Sequence, residues 1–151
     1  MVKKTTQIHY YEAIGRRKVA VARVRLYIVG KDNHATIEST KYKAGIILVN
    51  KKNIEKVFPA ISDKVKYLLP LKITNNEERF VISILAKGGG LQGQLEAIIL
   101  GLARAIEKIN KKDYRLPLKK AGLLRRDPRA RERRKVGTGG KARRAKQSPK
   151  R

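Results

Sequence analysis

The apolar residues run out before the chain does. From Arg125 to Arg151 the only aliphatic side chains are Ala130, Val136, Ala142 and Ala145. Such a stretch buries too little apolar surface to offset the entropy of ordering it, so any hydrophobic core must come from the residues before it. The sequence accordingly divides into a flexible polar N-terminus (1–7), a globular body (8–122) and an extended basic tail (123–151). Charge follows the same division: residues 1–110 hold 20 basic and 9 acidic side chains, residues 111–151 hold 18 and 3.

A net charge of +26 over 151 residues weakens a compact state by self-repulsion unless a polyanion is its usual neighbour. Membranes are anionic too, but no run approaches the ~20 apolar residues that span a bilayer, and no lipidation motif is present. A phosphate polymer is the expected partner, with no membrane and no small-molecule substrate. The segment Met1–Gln7 has no apolar stretch of the secretory kind, which predicts a cytoplasmic protein. The absence of cysteine excludes disulfides and thiolate metal or redox chemistry.

Within the body, Tyr10 and Tyr11 lead into Gly15-Arg16-Arg17-Lys18, and Val19–Val29 then alternates as a half-buried strand does. Ala22, Val24, Leu26 and Ile28 fall on one face, and Arg23, Arg25 and Tyr27 on the other. Residues 30–45 read as a loop or hairpin excursion, and 46–49 as a short strand. A helix is predicted from Asn53 to Phe58, stopped by Pro59, and another from a Ser62 or Asp63 cap to Leu69, stopped by Pro70. Strands over 71–74 and 79–87 follow, joined through Asn75-Asn76; in the second, Phe80, Ile82, Ile84 and Ala86 share a face. Leu91, Leu95, Ile98, Ile99, Leu102, Ala103, Ile106 and Ile109 form the apolar stripe of the main helix, and a last short helix follows Pro117 and closes at Gly122. The expected fold is α+β, an α/β sandwich of about four strands and three to four helices.

Gly88, Gly89 and Gly90 stand between a strand and a helix, where backbone N–H groups can receive a phosphate oxygen or where a tight turn simply needs positive φ. The run lacks a P-loop ending and dinucleotide spacing, and nothing nearby would hold Mg²⁺ as a kinase-like enzyme requires. His9 and His34 are isolated, and Glu77 and Glu78 lie in a turn, so no catalytic constellation forms; neither an enzyme nor a cofactor is expected. Arg16, Arg17, Lys18, Arg23 and Arg25 could lie along one side of a sheet edge as a stripe following a phosphate backbone. The tail adds Arg125, Arg126, Arg129, Arg131, Arg133, Arg134 and Lys135, then a glycine break at 137–140, then Lys141, Arg143, Arg144, Lys146, Lys150 and Arg151. Arginine's planar fork binds phosphate bidentately and stacks on bases.

Four segments, in register along nearly the whole chain, resemble the family of the ninth protein of the small ribosomal subunit. They are Gly15 through Val24, the Gly88–Gln94 turn with its helix, Leu118–Leu124 leading into Arg126-Asp127-Pro128-Arg129, and the basic end at Lys150-Arg151. The resemblance implies a ribosomal RNA-binding protein of the subunit head, beside neighbouring ribosomal proteins, with its tail reaching the peptidyl-site transfer RNA through Lys150 and Arg151. It also implies a four-stranded sheet with two main helices and a left-handed βαβ crossover, against the usual hand. Relative to the commoner bacterial pattern, residues 31–44 look inserted, Gln92 replaces a serine and Pro149 replaces a serine. The alternative reading is a free nucleoid or histone-like protein, disfavoured because mixed β structure without a groove-reading helix suits RNA shape better than duplex DNA.

Overall fold

A computed structural model describes residues 10–29, 33–37, 40–132 and 134. Strands β1 (Tyr10–Arg17) and β2 (Ala20–Ile28) form an antiparallel hairpin whose two-residue turn places Lys18 at φ 50°. A second, separate hairpin, β3 (His34–Ile37) and β4 (Thr40–Lys43), occupies the excursion. Then come β5 (Ile47–Val49), the two-residue β6 (Lys52–Asn53), helices α1 (Ile54–Val57) and α2 (Ile61–Ile73), β7 (Phe80–Lys87), α3 (Leu91–Ile109) and α4 (Lys111–Lys120). The main sheet has five strands in the order β1-β2-β7-β5-β6, with β5 and β7 parallel and every other pair antiparallel.

The alternation expected of β2 sets the layering. Ala20, Ala22, Val24 and Leu26 face inward together with Phe80, Ile82, Ile84 and Ala86, and α3 covers them with Leu95, Ile98, Leu102 and Ile106, all fully buried. Helices α2 and α4 close the far side of α3 through Tyr67, Leu71 and Leu118. Leu123 and Leu124, beyond α4, still pack against this core. Because α3 is sandwiched, its buried surface is wider than one stripe and takes in Ala97, Leu100, Gly101 and Ala105.

Several expectations need correction. The sheet has five strands rather than four, and the set differs: residues 71–74 are not a strand, whereas β1 and the two-residue β6, where no strand was expected, belong to the sheet. Helix α2 continues through Pro70 to Ile73, because Tyr67 and Leu71, four residues apart, bury one face against α3; Thr74 Oγ1 then donates to the carbonyls of Pro70 and Leu71. Its N-cap is Ala60, with no side-chain cap, and Asp63 lies inside the first turn. Helix α4 starts six residues before Pro117, where the Asn110 side chain accepts from the backbone N–H of Lys112 and Asp113. Tyr27, on the arginine face, is 6% exposed because the β3–β4 hairpin lays Ile37 over it and Val81. The expected α+β class, the three to four helices, of which four stand among the described residues, and the capping role of Gly122, at φ 72° with its N–H on the Lys119 carbonyl, agree.

Candidate nucleic-acid interface

Three segments far apart in sequence meet at one end of the sheet: the β1–β2 turn, the glycine turn before α3, and the chain after α4. Gly88 and Gly89 sit at φ 73° and 65°; a Cβ on Gly88 would lie 2.8 Å from the Val19 carbonyl oxygen, and one on Gly89 3.1 Å from Ala20 Cβ. Conformation and close approach to the hairpin therefore both require glycine there. Gly90 differs, with φ −98° and nothing within 4 Å of a built Cβ, so the fold itself does not demand its bare backbone. It heads α3, whose first turn carries no acidic residue, and the N-terminal N–H groups of a helix attract anions. Gln94 fixes the turn by donating from Nε2 to the Gly88 carbonyl at 3.1 Å.

Arg17 ties the third segment to the other two. Its side chain, only 11% exposed, pairs through the guanidinium with Glu96 on α3, reaches Asp127 at 3.1 Å, and donates to the Arg129 carbonyl at 2.9 Å. The residues after α4 thus leave the body along a fixed path, leaving Arg125, Arg126, Arg131 and Arg134 exposed. Asp127 also receives hydrogen bonds from the Arg129 side chain and backbone. Those bonds, chiefly, with the nearby Arg17 charge, hold its carboxyl well below the usual carboxylate range. Since the folded-state value is the depressed one, the stability from this ion pair is complete above the unfolded value of 3.8 and is lost only as pH falls through the lower folded value. An NMR titration is expected to find Asp127 still ionised and the Arg129 side chain still held at pH ~4, where an unperturbed aspartate is about half protonated. A carboxyl midpoint near the unperturbed value would contradict the arrangement.

The expected five-residue basic stripe is not continuous. Strand register places Arg16, Arg23 and Arg25 on the open face of the sheet, whereas Arg17 points to the helix side and Lys18 is in the turn. Arg25 pairs with Glu12 across the strands at 2.6 Å and lies 4.8 Å from the Tyr10 ring centroid; the hydrogen bond to Glu12 raises its pKa. Lys87, which the sequence reading did not single out, joins the open face opposite Val21. Its signal was available, since it directly precedes the glycine turn on a strand whose alternation was plain. Glu96 and Asp127 were also missed, although an aspartate two residues before an arginine marks a local ion pair. Arg133, Lys135, Lys141, Arg143, Arg144, Lys146, Lys150 and Arg151 lie outside the described residues, as do residues 1–7. Among the described residues, no group of three His, Asp or Glu side chains could hold a metal, and no helix is long and apolar enough to cross a membrane.

A family model described as ribosomal protein S9/S16 matches residues 15–151, which takes in all three converging segments. The chain belongs to this family. It is similar to the small ribosomal subunit protein uS9 of Dehalococcoides mccartyi strains BAV1 and CBDB1, 40% identical to each over 151 residues and covering the whole of both chains. Members of the S9/S16 family are structural ribosomal proteins and not enzymes, which also sets aside the free nucleoid reading. As an S9/S16 protein the chain is a ribosomal component that binds ribosomal RNA and lies among neighbouring ribosomal proteins.

Proposed function

We propose that this protein is a structural constituent of the small ribosomal subunit, in the head, and that its tail reaches the peptidyl-site transfer RNA. The observation that carries the reading is the convergence of the hairpin turn, the glycine turn and the arginine segment at one end of the sheet, in a chain of this family. Ribosomal RNA is then held by Arg16, Lys18, Arg23 and Arg25 on the hairpin, by the backbone at Gly88, Gly89 and Gly90, and by Arg125, Arg126, Arg129, Arg131, Arg133, Arg134 and Lys135. Lys141, Arg143, Arg144 and Lys146 continue the contact, and Lys150 and Arg151 touch transfer RNA. Arg17 serves this surface by holding the exit path of the tail. The division into residues 1–7, 8–122 and 123–151, the left-handed crossover from β5 to β7 and a cytoplasmic location belong to the same reading.

Deleting Lys150 and Arg151 separates the two RNA roles. It removes two of 38 cations, so incorporation into small subunits, read by cosedimentation, is expected to stay within about twofold. Dissociation of peptidyl-site transfer RNA should accelerate by about tenfold, since a charge-assisted hydrogen bond contributes ~1.5 kcal/mol or more. Unchanged dissociation with reduced incorporation would make the tip an anchor on ribosomal RNA and end the transfer-RNA reading.

A further inference from the structure

The face of the sheet turned away from the helices is only partly covered. Strand register arranges it in rows across β1, β2 and β7: Tyr10–Tyr27–Val81, then Glu12–Arg25–Ser83, then Ile14–Arg23–Leu85, then Arg16–Val21–Lys87. The β3–β4 hairpin covers Tyr27 and Val81 of the first row and leaves Tyr10 41% exposed. The last two rows are open, and cations alternate there with apolar side chains in both directions; Ile14, Val21 and Leu85 are 43%, 38% and 40% exposed. Arg16, Arg23 and Lys87 have no ion-pair partner among the described residues, and the one carboxylate on the three strands' open face, Glu12, is engaged by Arg25. Between the open rows and the hairpin runs a groove of about 340 Å³ whose walls include Tyr10, Arg25, Ile37 and Leu85.

We propose that this face binds an unpaired stretch of RNA, with one nucleobase in the groove beside Tyr10 and Arg25 and the adjoining phosphates on Arg16, Arg23 and Lys87. The proposal rests on the ribosomal RNA-binding reading and assigns to it a surface apart from the glycine-turn end and the tail. Charge complementarity selects a polyanion, because three cations stand there without a carboxylate to answer them. The interleaved apolar groups select single strands. A duplex presents its phosphates outward and would leave Tyr10, Ile14 and Leu85 against water, whereas splayed bases offer π faces that rings, aliphatic groups and guanidinium planes can cover. A twisted sheet with stacking groups between cations is a platform of that kind, and the groove is large enough to admit a base.

The test uses the full chain and two probes of equal phosphate number, a single-stranded oligouridylate and an RNA duplex, with the double variant Tyr10→Ala/Arg23→Gln. The basic tail binds both probes without regard to strandedness, so the ratio of the two affinities is the readout. The double variant is expected to weaken single-strand binding by about tenfold, the effect of losing one stacked base, and duplex binding by under about threefold. An unchanged ratio would overturn the proposal, as would crosslinks from this face to a neighbouring protein instead of nucleotides in the assembled particle. Leu85→Gln, at a site with room around it, provides a second variant should the first lose its fold, and the same fall in ratio is expected. If wild-type protein binds neither probe, the RNA-binding reading itself fails, an outcome distinct from a constant ratio.

Discussion

Gly15→Ala is expected to destabilise the protein by about 3 kcal/mol or more, measured as a shift in denaturation midpoint. Gly15 lies in β1 where α3 crosses it. A Cβ at that position would run into the Ala97 carbonyl oxygen and stand 2.5 Å from the Gly101 nitrogen. Both are backbone atoms of a helix clamped between sheet and helices, so no side chain can rotate away and the helix itself must lift. Lifting it opens the contact with Ala22 and Val24, which are fully buried. Gly101→Ala meets Val24 Cγ2 at 2.7 Å, a side-chain collision at a β-branched residue with few rotamers, and is expected to cost about 1 to 3 kcal/mol. Gly90→Ser, in open space at negative φ and at the N-cap of α3, should be neutral or slightly stabilising. Equal midpoints for Gly15→Ala and Gly90→Ser would contradict this account of the helix–sheet contact.

That contact illustrates what could be read from the sequence. The stripe from Leu91 to Ile109 and the alternation in β2 and β7 are long periodic signals, and each gave its element and its inward face. Gly15 carried no such signal: only the tertiary approach of α3 shows why glycine stands in a strand. The errors have one cause, local punctuation outvoted by burial. Pro70 looked like a helix stop and Pro117 like a helix start, yet Tyr67, Leu71 and Leu118 gain enough from burial for both helices to run through. The basic residues were legible as a class but not by role. Arg16 and Arg17 are neighbours, and the period of two that separates strand faces sends one to solvent and the other into an ion-paired joint. Sequence proximity therefore grouped side chains that pleating separates, and left out Lys87, which pleating adds.

Those roles predict different salt dependences for RNA binding. If about six cations each neutralise a phosphate, the logarithm of the binding constant falls by about 5 per decade of salt. Arg125, Arg126, Arg131 and Arg134 are exposed and carry no ion pair among the described residues. Replacing all four by alanine should make that slope shallower by about 3 to 4 and weaken binding by roughly 4,000-fold at 0.1 M salt, because each lost contact removes ~0.9 decade of counterion-release affinity. Arg17→Gln should act otherwise. Its guanidinium is already committed to Glu96, Asp127 and the Arg129 carbonyl, so no phosphate contact is lost and the slope should stay within ~0.5 of wild type. What the variant loses is the joint, and limited proteolysis should cut more readily near Asp127–Arg131 in the RNA-free protein. A slope shallower by about 1 with unaltered proteolysis would instead make Arg17 a phosphate contact, its ion pairs being exchanged for RNA on binding.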